Sequence, residues 1–382
     1  MRWLLPPGIE DLLPPQAQAL ESARRRLLDL FAAWGYQLVM PPLVEYADAL
    51  LTGTGADLAE QTFQVTDPLS GRLLAIRADI TPQVARIDAR DGNAAPARLC
   101  YLGSVLTAKE GAPGTCRNPM QVGAELYGHG GPESDVEVLR LLLETLRATG
   151  HDKVHVDLGH VGILRGLSRA AGLDAEAEHT LFELLQRKAC ADIAAFVAAL
   201  GLPAAARDWF VQLPQCFGPI DRLPQLRSRL HDVPASVTAA IDELDTIARE
   251  LLRFVPDLPL FVDLAELRGY HYHTGLVFAA YGAGYGQAMA WGGRYDGVGG
   301  VFGRARPATG FSADLKRLLG VPPAPPLPVL APWSSDPELT ALVERLRAAG
   351  RAVIHELPGS EPGPVGARIV HRDGAWQLQD AG

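Results

Sequence analysis

Gln121-Val-Gly-Ala-Glu125-Leu-Tyr127 is the stretch on which the reading of this chain turns. Alternation along an extended strand puts Gln121, Gly123, Glu125 and Tyr127 on one face and Val122, Ala124 and Leu126 on the other. The second face belongs in a core. The first sets two long polar side chains about a glycine, which leaves room for a ligand to approach, and its carboxylate suits an ammonium.

The segments around this strand decide the class of fold. Upstream, Gln16 to Trp34 carries Leu20, Leu27, Phe31 and Trp34 at helical spacing, entered through Pro14-Pro15 and closed by Gly35. Strand-like runs follow at Tyr36–Met40, Leu73–Arg77 and Arg98–Val105. Downstream, Pro132–Thr149 is an amphipathic helix and Val154–Leu158 a strand. An Ala/Leu-rich helical stretch then runs over residues 162–254. Leu260–Leu264, Gly275–Tyr281 and Gln287–Trp291 read as further strands, and Gly310–Leu319 as a helix. Strands and helices do not alternate regularly, which predicts α+β with an antiparallel sheet flanked by helices, not a doubly wound parallel one. The proline-rich stretch 321–327 reads as a linker between a core (1–320, with the helical insertion at 162–254) and a short C-terminal α/β module (328–382). In that module a strand–helix–strand unit precedes a hairpin that turns at Arg372-Asp373-Gly374.

Composition narrows the function. The 382 residues are 48% hydrophobic and 21% charged, enough to bury a sizeable core. The net charge of −9 argues against a protein that grips long stretches of nucleic acid. Cys100, Cys116, Cys190 and Cys216 have no Cys-x-x-Cys spacing and read as reduced thiols of a cytosolic protein. Prolines interrupt the N-terminus too early for a secretory leader, and no apolar run is long enough for a membrane span, so a cytoplasmic location is expected. The string Thr52-Gly-Thr-Gly lacks the dinucleotide fingerprint, and His151, His155 and His160 have no clustered acid to make a metal site.

Three other strings carry chemistry. Arg77-Ala-Asp79-Ile-Thr81 ends a strand and doubles as a helix cap leading into Pro82. Arg268-Gly-Tyr-His-Tyr272-His273 is dense in aromatic and titratable groups; read as a strand, it puts His271 and His273 on one face, Tyr270 and Tyr272 on the other. Gly292-Gly-Arg-Tyr295-Asp is followed by Ala308-Thr-Gly-Phe-Ser and Leu315-Lys-Arg317-Leu.

In this order, the four strings resemble the catalytic core of histidyl-tRNA synthetases, a class II aminoacyl-tRNA synthetase fold. The resemblance implies that Asp79, Thr81, Gln121 and Glu125 face an amino acid's ammonium, that Arg268 meets its carboxylate, and that Tyr272, His273 and Tyr295 surround an imidazole. The adenylation machinery departs from the family. Where synthetases place an arginine at the α-phosphate and a glutamate at the adenine, this chain reads Thr107 and Lys109, followed by Thr115-Cys-Arg117. Loss of a preorganised cation from a phosphoryl site costs orders of magnitude in rate, so Thr107, Lys109, Arg117 and Arg317 are read as remnants of an ATP site. The tail is also too short for a complete anticodon-binding domain. A histidine pocket beside a dismantled ATP site resembles the regulatory subunits of ATP phosphoribosyltransferase, the first enzyme of histidine biosynthesis. That resemblance implies a non-catalytic chain without cofactor or metal. It would dimerise through its core, join a short-form catalytic subunit in a hetero-octamer and respond to L-histidine, with no tRNA and no membrane as partners. An active histidyl-tRNA synthetase, or a stand-alone ligase of that type, is the alternative.

Overall fold

The computed structural model describes residues 4–52, 56–91, 94–109, 116–270, 272–320 and 324–380. Gly53, Gly55, Thr115, His271 and the first three linker residues, singled out above, lie outside them. The chain divides into two compact units, Met1–Gly320 and Val321–Gly382.

The larger unit opens with α1 (Gln16–Ala33), β1 (Gln37–Leu38), β2 (Val44–Tyr46), α2 (Ala47–Leu50), α3 (Ala56–Gln61), β3 (Phe63–Thr66), β4 (Leu73–Ile76) and α4 (Thr81–Asp91). Then come β5 (Ala97–Ser104), β6 (Met120–Tyr127), α5 (Pro132–Ala148) and β7 (Val154–His160). The helical stretch resolves into α6 (Val161–Ala171), α7 (Ala175–Gln186), α8 (Cys190–Ala199), α9 (Ala204–Gln212), α10 (Leu223–Arg227) and α11 (Ala235–Phe254), with a three-residue strand, β8 (Phe217–Pro219), inside it. The unit closes with β9 (Leu260–Asp263), β10 (Leu276–Gly282), β11 (Ala290–Arg294), β12 (Ala308–Asp314) and α12 (Leu315–Leu318).

Nine strands form one sheet in the order β1-β5-β6-β12-β11-β10-β7-β9-β8, antiparallel except where β1 meets β5 and β7 meets β9. Val122, Ala124 and Leu126 of β6 enter the main core with Leu27 and Phe31 of α1 and Leu139, Leu142 and Leu146 of α5. Each of the valine, leucine and phenylalanine side chains among them contributes about 1.5–3 kcal/mol on burial. The opposite face, carrying Gln121, Gly123 and Glu125, receives α4 and a smaller cluster that includes Ile80, Val84, Tyr101, Tyr127 and Tyr295. The main core thus packs one face, and on the other a smaller core surrounds the polar groups of β6.

One expected helix is a strand. Ala308–Asp314 is β12, paired with β11 on one side and β6 on the other, and only Leu315–Leu318 is helical. The apolar and small residues there are buried on both faces in mid-sheet, which removes the alternation that would have marked a strand. The extended run at Tyr36 shrinks to Gln37–Leu38, because only those residues pair with β5. The strands β2 and β3, absent from the sequence reading, flank β4 in a separate sheet.

In the smaller unit β13 (Val329–Ala331), α13 (Pro337–Ala348) and β14 (Val353–His355) make a parallel strand–helix–strand unit. The hairpin β15 (Ala367–Arg372) and β16 (Ala375–Asp380) turns through Asp373 and Gly374, both at positive φ, the geometry of a two-residue turn between right-twisted strands. Among the described residues, no helix is long and apolar enough to cross a membrane.

A buried ion pair holds the sheet to α5. Arg294 Nη2 lies 2.7 Å from Asp135 and 2.9 Å from the Ser134 hydroxyl, and the guanidinium also donates to the carbonyls of His129 and Gly131. Both side chains are almost fully shielded, so removing Asp135 leaves the buried guanidinium with only the more exposed Asp296, 3.3 Å away, as counter-charge. Asp135→Ala is therefore expected to destabilise the protein by about 3–5 kcal/mol, read as a fall in the urea midpoint. Lys109→Ala, which breaks an exposed pair with Glu60, should leave the midpoint nearly unchanged. Equal effects of the two substitutions would contradict this assignment.

Candidate functional site

The site is built on β6 and covered from three directions. Glu125 is buried, and its carboxylate lies across β12 at Gly310, where an added Cβ would sit 1.6 Å from Oε2. Only glycine opposite Glu125 lets the carboxylate occupy that position. Three hydroxyls converge on it. Tyr295 donates to Oε2, while Tyr101 at 3.1 Å and Thr81 at 3.2 Å donate to Oε1. The Thr81 and Tyr101 hydroxyl oxygens lie 2.9 Å apart, and the Tyr127 hydroxyl lies 3.2 Å from that of Tyr295, placed to donate to it.

Asp79 and Gln121 form a second layer beside this centre. Gln121 Nε2 donates to Asp79 at 2.7 Å, and its Oε1 accepts from the Ile80 amide at 2.9 Å. Asp79 also accepts from the Thr81 amide at 2.9 Å, so it caps α4 while facing the site. Arg77 is structural: it donates to the carbonyls of Ser104 at 3.0 Å and Pro41 at 2.7 Å, fixing the strand end that presents Asp79.

Tyr272 and His273 complete the wall. The Tyr272 ring lies 5.0 Å from that of Tyr295, and His273 lies against Gly293 of β11, where a Cβ would come within 2.7 Å of the imidazole. The Tyr272 hydroxyl is buried and, among the described residues, has no hydrogen-bond partner. It offers an unused polar contact beside Tyr295.

Seven of the eight residues singled out for this pocket thus lie together. The eighth, Arg268, turns elsewhere: its Nη2 donates to Tyr281 at 3.0 Å and lies 3.8 Å from Glu266. The alternation read into its segment is also corrected. Residues 264–270 form no strand, 268–270 being a turn with Gly269 at φ +64, so Tyr270 and Tyr272 do not share a face. Tyr270 packs on Phe182 of α7, whereas Tyr272 joins Tyr295. Nor does Gly123 leave open space for a ligand. Tyr101, its cross-strand partner on β5, fills that position, with its hydroxyl 2.3 Å from where a Cβ would be. Tyr101 and Tyr127 were not singled out from the sequence. The usable signal was a tyrosine in register with a glycine, legible only once the pairing of β5 with β6 is known.

Of the positions read from the sequence as remnants of an ATP site, Arg117 and Lys109 have their side chains held in structural bonds. Arg117 Nε donates to the Thr107 carbonyl at 3.0 Å and its Nη1 to the Pro7 carbonyl at 3.1 Å, while the guanidinium stacks on Phe63. Lys109 pairs with Glu60. Arg317 lies on α12, where its carbonyl accepts from Tyr285 at 3.4 Å.

The electrostatics follow from burial. Loss of solvent pushes the Glu125 carboxyl up to about 8; the Tyr295 hydrogen bond opposes this, the Asp79 charge adds to it, and Tyr101 and Thr81 oppose it further. Burial, reinforced by the Glu125 charge, also raises the phenols of Tyr101, Tyr127, Tyr272 and Tyr295, so they remain neutral. Desolvation pulls His273 down to about 4, which keeps its imidazole uncharged near neutrality. The centre is a protonated, hydrogen-bonded acid in a cage of neutral hydroxyls, able to ionise when a cation arrives.

Comparison with known proteins now places the chain. Residues 8–318 match the family model described as histidyl-tRNA synthetase, and residues 326–379 match that of the ATP phosphoribosyltransferase subunit HisZ C-terminal domain. An ATP phosphoribosyltransferase regulatory subunit of Alkalilimnicola ehrlichii is 54% identical over 95% of this chain and 92% of its own. One from Thioalkalivibrio sulfidiphilus is 53% identical over 99% and 98%. The chain belongs to the ATP phosphoribosyltransferase regulatory subunit family. Its fold agrees with that of solved relatives of this family and of the synthetases. A Bacillus halodurans structure titled ATP phosphoribosyltransferase regulatory subunit/histidyl-tRNA synthetase superposes with a TM-score of 0.84 at 25% identity, covering 95% of each chain. Histidyl-tRNA synthetase from Nostoc shares the fold at a TM-score of 0.79 and 18% identity, over 97% of this chain and 91% of that one. The α+β, class II synthetase-like architecture expected from the four strings is thus the one observed, and the module after the linker carries the family's own C-terminal domain.

Glu125 gives the site a pH signature. With a folded value near 8 against 4.5 for the free group, the native state binds the extra proton between those pH values. Its contribution to stability is complete below about pH 4.5 and is lost as pH rises through 8, by at most about 1.4 kcal/mol per unit. Glu125→Gln, which cannot ionise, should flatten this part of the profile when urea midpoints are compared from pH 5 to 8. Parallel profiles for the two proteins would show that Glu125 is ionised throughout.

Proposed function

We propose that this chain is the non-catalytic subunit of an ATP phosphoribosyltransferase, sensing histidine in the Glu125 pocket and activating a short-form catalytic subunit. The observation that carries the reading is the contrast between two halves of one site. The amino-acid half keeps Asp79, Thr81, Gln121, Glu125, Tyr272, His273 and Tyr295 together, with an unused hydroxyl at Tyr272. The nucleotide half has Thr107 where a cation is needed, and Arg117 is spent on backbone carbonyls. The names of the relatives support the regulatory role. We assign the core (1–320) to effector binding and self-association and leave the module (328–382) joined to it by the linker 321–327. Assembly would be a cytoplasmic hetero-octamer with the catalytic subunit.

Histidine presents an ammonium, a carboxylate and an imidazole. The ammonium would meet Glu125 and Asp79, with Thr81 and Gln121 orienting the two carboxylates. The imidazole would lie among Tyr272, His273 and Tyr295. Arg268 would have to exchange its Tyr281 bond for the ligand's carboxylate. An ammonium beside Glu125 favours the anion, so binding near pH 7 should expel about one proton. Effector binding would then reach the enzyme only through different affinity for two assembly states.

Mixing the chain with a short-form catalytic subunit tests the role directly. The expected result is a larger complex by light scattering, restored phosphoribosyl transfer and inhibition by histidine. Histidine-dependent ATP–pyrophosphate exchange by this chain alone would sink the non-catalytic reading. Calorimetry in buffers of different ionisation enthalpy should show proton release on histidine binding, and Glu125→Ala should abolish binding. Binding that ignores Glu125 would move the effector to another site.

A further inference from the structure

We propose that Tyr270 is a positioning residue that ties the Tyr272–His273 wall of the pocket to helices α6 and α7, so that those helices set the geometry in which histidine is held. The proposal rests on reading the pocket as a histidine site and adds what controls its shape. Tyr270 stands two residues from Tyr272, yet its side chain leaves the pocket. Its hydroxyl donates to Glu178 of α7, and its ring lies 5.3 Å from that of Phe182 on the same helix. Arg165 of α6 donates to the Tyr270 carbonyl at 2.5 Å and places its guanidinium 4.8 Å from the centre of the ring. One residue is therefore gripped at its hydroxyl, ring and carbonyl by two helices.

The turn transmits this grip over a short distance. Gly269 takes φ +64, and its carbonyl accepts from the amides of both Tyr272 and His273 at 2.8 Å. An added Cβ there would strike the His273 ring, so the glycine is needed for conformation and for space. Gly269 thus holds the Tyr272 and His273 amides on the pocket side, and Tyr270 is anchored on the helix side. Any displacement of α6 or α7 moves the Tyr270 backbone, and the rings of Tyr272 and His273 follow. By linkage, a ligand that orders Tyr272 and His273 must also stabilise the seat of Tyr270 on α7.

The test uses the full chain with Tyr270→Phe, Glu178→Ala and the double variant. Tyr270→Phe keeps the ring and removes the hydroxyl that donates to Glu178. Loss of a hydrogen bond to a charged group predicts about tenfold faster exchange of the Tyr272 and His273 amides and about tenfold weaker histidine binding by calorimetry. Urea midpoints should scarcely move. The two single variants should not add, because each removes the same bond. Histidine should slow amide exchange in α7 around Glu178 in the wild type but not in Tyr270→Phe. Unchanged exchange at Tyr272 and His273 in both single variants overturns the proposal, as do additive effects or losses that merely follow the midpoint. If the wild type binds no histidine, the pocket reading falls, and exchange at those two amides still decides whether Tyr270 positions the turn.

Discussion

A carboxyl group buried in the middle of a sheet survives only where its proton or its charge is accounted for, and Glu125 imposes that condition on everything around it. Gly310 exists in the structure as the space the carboxylate fills. Tyr101, Thr81 and Tyr295 supply hydroxyls from β5, α4 and the end of β11, so three elements must arrive in register for one side chain to be satisfied. Arg294, one residue before Tyr295, is clamped to Asp135, which fixes the strand end that brings the tyrosine in. The ion pair and the acid form one arrangement: the first holds the scaffold rigid and the second uses that rigidity.

On the function proposed above, the same arrangement accounts for how a synthetase-like core would keep an amino-acid site without keeping the reaction. The amino-acid groups are interlocked through the sheet, so losing one would leave buried polar atoms unpaired, at a cost of about 1–3 kcal/mol each. The nucleotide groups stand in loops and at the surface. There Arg117 can turn to the carbonyls of Thr107 and Pro7, and Lys109 can pair with Glu60, without disturbing the core. A site built into a sheet is held by folding energetics. One built on exposed arms is free to drift once its chemistry is not needed.

The alternation of β6 was sufficient to orient it, because Val122, Ala124 and Leu126 are its apolar residues and belong in the main core, even though the polar face is buried too. The helix expected at Gly310–Leu319 failed for the complementary reason. A strand buried on both faces has no polar alternation, and short runs of small and apolar residues are then indistinguishable from helix. Tyr101 escaped notice because its importance lies in its pairing with Gly123, a relation across more than twenty residues of sequence. The Arg268 segment misled for a third reason: its alternation of residue types suggested a strand, but Gly269 makes it a turn that sends Tyr270 and Tyr272 to different places.

Sequence alone determined the class of fold and supplied the residue types from which an amino-acid site and a missing adenylation cation are proposed, because these depend on residue identity and local spacing. The tertiary structure decided what those residues do to one another. It set the protonation of Glu125, the filling of the space over Gly123, the turning of Arg268 toward Tyr281 and the anchoring of Tyr270 to α7. Each of these is a matter of distance and solvent exclusion between residues far apart in the chain, which local pattern does not encode.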